Sequence, residues 1–269
     1  MKKILAVLFA VVMVFSFAAC GDKKQDEQQV SKQKFVMGID AEYPPFSYLG
    51  SDGKYTGFDV EICQAACEKL GWEWDVFGVN WDQKLIQLDA KECDCVWAGM
   101  TILDSMKEAG YVLSNPYFDS RQVFLVKADS GIKTVADIAG KDVAVMLGTS
   151  GETLLNEDLT DIKATFNKLI TTESFVKAFA ELDGNGVDAV FVDFPVAKAQ
   201  MAKNAGAYVL IDEDLGVEQY GIAFRSTDAE LCKQIESAVA ELVKDGTYEQ
   251  IASKPEYAEI KDNLIFLQK

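Results

Sequence analysis

Short apolar segments alternate with longer amphipathic segments between residues 35 and 251. Apolar runs such as residues 35–39 and 96–98 are typical of strands. Residues 60–70 carry apolar side chains on one helical face, and Gly71 follows, where a helix commonly ends. Strands that alternate with helices predict parallel sheets covered by helices on both faces. We therefore expect an α/β fold.

A ten-residue pattern occurs twice in the chain. Residues 87–96 (QLDAKECDCV) and 181–190 (ELDGNGVDAV) each read as a helix end, a polar turn and an Asp-x-Val strand start. This repeat indicates two lobes of similar topology. Gly99 and Asp193 then occupy equivalent positions at the carboxyl ends of their strands, where open α/β sheets bind ligands.

Two further apolar segments predict strands that cross between the lobes. Residues 122–126 and 220–225 are these candidate hinge strands, and two such connections would allow the lobes to close around a ligand. We expect lobe 1 to comprise residues 35–121 plus 226–269, and lobe 2 to comprise residues 127–219. The predicted fold is thus two-lobed α/β with two crossover hinge strands.

The N-terminus has the pattern of an export signal. Lysines at positions 2 and 3 precede an apolar run over residues 4–19, which is shorter than a membrane-spanning helix. Cys20 follows two alanines and resembles the cysteine of bacterial lipoprotein signals, which is lipidated. An ordinary secretory signal with an incidental cysteine is the alternative.

Residues 20–34 follow the predicted signal of residues 1–19 as a polar segment. Residues 21–34 contain a single aliphatic side chain, Val30, so they cannot bury enough surface to fold and indicate a flexible tether. We predict an extracytoplasmic protein that is lipid-anchored to the cell membrane through Cys20.

Composition excludes several function classes. The formal net charge is −17, and such a surface repels phosphate backbones, so we expect no nucleic-acid partner. The chain has no histidine, which excludes Ser-His-Asp catalysis and His-ligated metals, and we expect no metal and no cofactor.

Five cysteines follow Cys20, and the sequence does not decide whether they pair. Export permits disulfides, but buried free thiols account equally well for them. They are Cys63, Cys67, Cys93, Cys95 and Cys232.

Three places combine chemistry with a strand end. Residues 40–46 (DAEYPPF) hold an acid and two aromatics in a loop stiffened by prolines, and Trp81 could face Tyr43 across a ligand, although both rings could instead be core residues. Residues 147–152 (LGTSGE) form a glycine-rich strand-to-helix turn, which favours anions. Asp193 follows an apolar strand, where its partner could be a ligand ammonium, although an internal lysine or a role as a helix cap would also account for it.

Several of these segments resemble a known family. The motifs DAEYPPFSY, GKYTGFDVEI, AGMTI, DIAGKDVAVMLGTS, GVDAVFVD and YGIAFR are similar to those of the family 3 extracellular solute-binding proteins, in order, over about residues 35–251. The resemblance implies a type II periplasmic-binding-protein fold without catalysis. It also implies a small amino-acid-like ligand in the cleft between the lobes, an ABC-transporter permease in the cytoplasmic membrane as partner, and a monomer.

The resemblance also implies individual ligand contacts. Thr149 and Ser150 match carboxylate donors of the second lobe, and Asp193 matches the acid that pairs with the ligand ammonium. The full predicted set is Asp40, Tyr43, Trp81, Ala98, Gly99, Thr101, Thr149, Ser150 and Asp193, with Glu42, Phe46, Met106, Arg121 and Met146 as further candidates.

One position departs from the family pattern. Met106 stands where the family usually has an arginine that binds the ligand carboxylate, and losing one member of such a pair costs about 2–5 kcal/mol. Either another cation substitutes, with Arg121 as the nearest candidate unless it is merely solvated, or the ligand lacks a standard α-carboxylate. Because Asp40, Glu42 and Asp193 make the predicted pocket anionic, we expect an ammonium-bearing ligand with little demand for a free carboxylate.

Two other functions remain open. An exported dehydratase of the prephenate or arogenate type is similar in fold and could use Glu42 or Asp40 as its acid. A lipid-anchored ligand sensor is the second alternative, although we expect such a sensor to carry a further transmembrane helix after the binding lobes.

Overall fold

A computed structural model describes residues 32–268 of the chain. The predicted signal, Cys20 and residues 20–31 of the predicted tether lie outside the described residues. The strands are β1 Lys34–Ile39, β2 Glu42–Tyr43, β3 Ser47–Leu49, β4 Tyr55–Thr56, β5 Glu73–Gly78, β6 Cys95–Thr101, β7 Val112–Leu113, β8 Phe118–Lys127, β9 Asp142–Met146, β10 Lys168–Thr172, β11 Ala189–Asp193, β12 Tyr208–Ile211 and β13 Val217–Phe224. The helices are α1 Phe58–Leu70, α2 Lys84–Asp89, α3 Asp104–Glu108, α4 Ser150–Glu157, α5 Thr160–Lys163, α6 Phe175–Asp183, α7 Phe194–Lys203, α8 Ala229–Asp245 and α9 Thr247–Ala252, with 3₁₀ turns at Trp81–Gln83, Val135–Ile138, Pro255–Tyr257, Lys261–Asn263 and Ile265–Leu267.

Two parallel groups of strands form the halves of one continuous sheet, in the order β10-β9-β11-β8-β13-β6-β1-β5. In the first half, β1 pairs in parallel with β5 and β6. In the second half, β9 pairs in parallel with β10 and β11. We use these names, first half and second half, for the two parallel groups and the helices packed on them. The mixed α/β architecture predicted from the alternating pattern is confirmed.

Strands β8 and β13 connect the two halves. They run antiparallel to each other, while β8 also pairs with β11 and β13 also pairs with β6. Both correspond to the segments predicted from sequence as hinge strands, but they begin earlier, at Phe118 and at Val217, where most residues are polar. Helix α8 packs on α1, so the C-terminal helices return to the first half. The exact lobe boundaries stay a prediction.

The centre of the sheet is buried because helices cover it. Strand β6 (CVWAGMT) is buried from Cys95 to Met100, as expected for a parallel strand that reads as a continuous apolar run. Helices α1 and α2 both pack against it. Among residues 32–268, no helix is both long and apolar enough to span a membrane. The cysteines of this part of the chain are buried free thiols.

A buried carboxylate fixes the carboxyl end of β6. Asp59, in the first turn of α1, is fully buried and accepts hydrogen bonds from Gly99 N (2.8 Å) and from the Tyr117 hydroxyl (2.7 Å). Gly99 has φ +56°, and a Cβ there would lie 2.3 Å from Tyr43 Cε1, so this position requires glycine. Asp59 and Gly99 therefore place the end of β6 directly against Tyr43.

Buried acids make the stability of this fold depend on pH. Burial raises the pKa of Asp59 to about 7 and that of Asp40 to about 6. Both groups bind a proton more readily in the folded chain, so their stabilising contribution is complete below about pH 4 and is lost as the pH rises through 6 and 7. We expect the Tm to fall by about 5 °C or more between pH 5 and pH 8 in differential scanning calorimetry.

The variant Asp59→Asn should show a weaker dependence of Tm on pH, because its amide oxygen can still accept from Gly99 and Tyr117 but no longer titrates. The matched control is Asp262→Asn, an exposed position that should keep the wild-type slope. A Tm that rises over this pH range, or an Asp59→Asn slope equal to that of wild type, would contradict this account.

Candidate ligand-binding site

A cleft lies where the strand ends of the two halves meet. The first half contributes residues from β2, from the 3₁₀ turn and the start of α2, and from the end of β6 and the residues after it. The second half contributes the turn before α4, the first residue of α4 and the end of β11. The residues that line it are Tyr43, Trp81, Lys84, Gly99, Met100, Thr101, Leu103, Met106, Gly148, Thr149, Ser150 and Asp193. The structure therefore brings most of the predicted ligand contacts to one place.

Some predicted residues lie outside this lining. Asp40 is buried and accepts a hydrogen bond from Glu42 N (2.8 Å), whereas Glu42 itself is exposed. Phe46 is a core residue, because its ring packs against Phe118 (5.0 Å between centroids) and Tyr220 (5.4 Å). The buried residues Ala98 and Met146 lie within strands β6 and β9.

Arg121 does not reach the cleft. Its guanidinium forms a two-point ion pair with Asp212 (Nε–Oδ1 2.6 Å, Nη2–Oδ2 2.5 Å) and lies 3.6 Å from the ring centroid of Phe194. Its charge is therefore engaged elsewhere. The structure does not bring this arginine to the position that the missing arginine at Met106 would fill.

Lys84 is the one lysine or arginine among the described residues that line the cleft, and the sequence analysis missed it. It is buried, and its ammonium donates to Gly148 O (2.7 Å) of the second half and to Trp81 O (3.1 Å). The ammonium also lies 4.7 Å from the centroid of the Trp81 ring, and burial lowers its pKa to about 8. The sequence could have indicated this contact, because Lys84 follows Trp81 by three residues and residues three apart on a helical turn are neighbours.

Two carboxylates and an amide form a polar network beside the cleft. The Gln122 amide nitrogen lies 2.8 Å from Asp193 Oδ1 and 3.1 Å from Glu218 Oε1, and thus links the two acids. Asp193 is only 4% exposed, and burial, followed by the charge of Glu218, raises its pKa. The Tyr220 hydroxyl lies 3.4 Å from Asp193 Oδ1 and 2.8 Å from the Tyr43 hydroxyl.

Glu218 also joins the two halves. Its Oε2 accepts hydrogen bonds from Thr101 Oγ1 (2.7 Å) of the first half and from Ser150 Oγ (2.8 Å) of the second half. Gln122 and Glu218 were both missed as site residues. Glu218 and Tyr220 are two residues apart on a strand, so their side chains lie on the same face. This spacing could have indicated Glu218 from the sequence.

The turn before α4 approaches the first half closely. Gly148 has φ +74°, and a Cβ there would lie 2.7 Å from Asp82 Cα, so only glycine permits this approach. The Gly148 N–H, part of the predicted anion site, donates to the side chain of Glu152 (2.7 Å). Thr149 caps α4 by accepting from Glu152 N (3.2 Å). An internal carboxylate thus already binds to this turn.

The two halves are closed on each other at the cleft. The cavity between them has a volume of about 20 Å³, which is close to the space that one water molecule requires. Any amino acid is larger than this, so its entry requires the two halves to separate.

Comparison with known proteins agrees with this geometry. Residues 35–254 match the family described as Bacterial extracellular solute-binding proteins, family 3. The L-cystine-binding protein TcyJ of Escherichia coli (strain K12) is 33% identical over 253 residues, covering 92% of this chain and 90% of that protein. The arginine-binding extracellular protein ArtP of Bacillus subtilis (strain 168) is 30% identical over 257 residues, which cover 94% of this chain and 98% of that protein.

Among solved structures, an ABC uptake transporter substrate binding protein from Streptococcus pneumoniae with bound histidine has a TM-score of 0.80 at 26% identity, covering 84% of this chain and 94% of that chain. The predicted periplasmic-binding-protein fold and the resemblance noted in the sequence are both confirmed. Because the family match spans most of the chain and a relative that is 33% identical covers nearly all of it, this chain belongs to the family 3 bacterial extracellular solute-binding proteins.

Proposed function

We propose that this protein is the extracytoplasmic substrate-binding component of an ABC importer. It binds a polar amino acid or an amino-acid-like, ammonium-bearing molecule in the cleft and delivers it to the permease. The observation that carries this proposal is Asp193, a buried carboxylate at the cleft with a second carboxylate, Glu218, beside it. A buried carboxylate is costly unless a cation meets it, and a ligand ammonium is the natural partner.

The remaining predicted residues would enclose the ligand. Tyr43 and Trp81 provide aromatic walls, which also attract a cation through their ring faces. Gly99 and Ala98 would offer backbone groups at the end of β6, and Thr101, Thr149 and Ser150 would offer polar contacts from both halves. Crossover strands β8 and β13 would act as the hinge that separates and rejoins the halves.

Closure would be stabilised by bonds that cross the cleft. Lys84 Nζ donates to Gly148 O (2.7 Å), and Thr101 of the first half and Ser150 of the second half donate to the same Glu218 oxygen (2.7 Å and 2.8 Å). These bonds must break when the halves separate and re-form when a ligand has entered. The closed form is then the one that we propose docks on the permease.

A catalytic role is not part of this proposal. Glu42 is exposed, and Asp40 accepts from the Glu42 N–H, so neither acid proposed for a dehydratase is among the residues that line the cleft. Incubation with arogenate and with prephenate should therefore yield no phenylalanine or phenylpyruvate by chromatography.

The ligand-binding proposal is tested by substitution in the cleft. We expect Asp193→Ala to weaken binding by roughly 30-fold or more, because it removes a buried charge partner, and Trp81→Ala by roughly tenfold. The ligand is first found by a thermal-shift screen of amino acids and related amines, since a ligand at a hundred times its Kd stabilises by about 2.7 kcal/mol. Affinities are then measured by isothermal titration calorimetry.

Asp262→Ala, at an exposed position, serves as the control and should bind as wild type does. Circular dichroism of each variant separates a loss of binding from a loss of folding. If folded Asp193→Ala and Trp81→Ala proteins bind the ligand with unchanged affinity, the cleft is not the binding site.

We further propose that the protein is a monomer held at the membrane by a lipid on Cys20. The variant Cys20→Ala should lose incorporation of labelled palmitate, and the protein should move from the membrane fraction to the soluble extracytoplasmic fraction. Cys232→Ala, which removes a buried thiol of the folded region, is the matched control and should stay at the membrane. Retention of Cys20→Ala in the membrane fraction would contradict the lipid anchor.

A further inference from the structure

The hydroxyl groups of Thr101 and Ser150 face the cleft, and their hydrogens are already engaged. Both donate to Glu218 Oε2, at 2.7 Å and 2.8 Å. An ionised carboxylate can only accept hydrogen bonds, and a hydroxyl has a single hydrogen to donate. With that hydrogen directed at Glu218, each hydroxyl presents only acceptor lone pairs to the cleft. This pair therefore suits an N–H donor rather than a ligand carboxylate.

Two further groups that could bind a carboxylate make hydrogen bonds within the protein. The Gly148 N–H donates to Glu152 (2.7 Å), and Lys84 donates to two backbone carbonyls. Met106 lines the cleft without a charge, and Arg121 is paired with Asp212. A ligand carboxylate would thus enter a site with an adjacent negative charge, where Lys84, the one cation of the described lining, has two of its three N–H donors bound to backbone carbonyls.

A positively charged donor finds the opposite situation. Asp193 lines the cleft, and its Oδ1 is the atom that the Gln122 amide and the Tyr220 hydroxyl reach. The Gln122 amide nitrogen, with two hydrogens, lies within 3.3 Å of Asp193, Glu218 and Ser150, so it cannot satisfy all three acceptors. An ammonium group carries three N–H donors and would satisfy the remaining acceptors.

From this arrangement we propose that Glu218 determines the ligand class: it reverses the hydrogen-bond polarity of Thr101 and Ser150, so that the cleft selects an amine without an α-carboxylate over the matching amino acid. The proposal rests on the binding function proposed above and narrows its ligand. It assigns Glu218 a role in specificity that acts through the two hydroxyls.

The test compares pairs of compounds that differ only by carboxylate groups. The pairs are agmatine and arginine, histamine and histidine, cadaverine and lysine, and cystamine and cystine. Calorimetric titration of the mature protein at pH 7.5 should show at least one amine that binds tenfold or more tightly than its amino acid. The quantity compared is the ratio of the two Kd values within a pair. A general loss of folded protein changes both values equally and therefore leaves this ratio unchanged.

Glu218→Gln should shift this ratio at least tenfold toward the amino acid. The glutamine is neutral and can donate through its amide, which allows the two hydroxyls to turn their hydrogens toward the ligand. Glu230→Gln, at an exposed position of α8, is the matched control and should leave the ratio unchanged. Should Glu218→Gln fail to fold, Met106→Arg provides a second variant, which adds a cation at the cleft and should shift the ratio in the same direction.

Two results would overturn the proposal. If the wild type prefers the amino acid of every binding pair, or if Glu218→Gln does not change the ratio, Glu218 does not determine the ligand class, whereas the binding function proposed above would stand. If none of the eight compounds binds, the proposed selection for amines and the proposed amino-acid-like ligand are both wrong.

Discussion

Buried negative charge at the junction of the two halves is the constraint on which this molecule depends. Asp40 follows β1, Asp193 ends β11 and Glu218 lies on a crossover strand, whereas Lys84 is the one cation in the cleft lining described here. Desolvation penalises each charge unless a donor or a proton meets it. The raised pKa values of the buried Asp40 and Asp59 make low pH stabilise the fold, and the carboxylates Asp193 and Glu218 make the cleft suited to a positively charged ligand.

The close approach of the two halves depends on backbone conformation as much as on charge. Gly99 and Gly148 both adopt positive φ angles where a side chain would collide with Tyr43 or with Asp82. These two glycines allow strand ends to meet across a small cavity, so that hydroxyls, amide and carboxylates of both halves share hydrogen bonds. Asp59 supports this arrangement from behind, because it fixes Gly99 from the first turn of α1.

The sequence predicted the fold and much of the cleft because both depend on local patterns. Alternating apolar segments and an internal repeat indicate the paired sheets, and strand ends place Gly99 and Asp193. Glu218 was missed because β13 begins at Val217, three residues before the apolar run that marked it. Arg121 was offered as a cleft cation because its partner, Asp212, is 91 residues away and no pattern reveals that pairing.

The methionine at position 106 and the glutamate at position 218 have related effects, although they are distant in sequence. Without an arginine at 106, a ligand carboxylate would have no guanidinium partner, and Lys84 is the one cation of the described lining. With Glu218 accepting from Thr101 and Ser150, it would also find no hydroxyl donors. Either change alone would weaken carboxylate binding, whereas Glu218 additionally creates acceptors that favour a donor. The two positions together therefore favour a different ligand chemistry at this cleft rather than a weaker version of the same one.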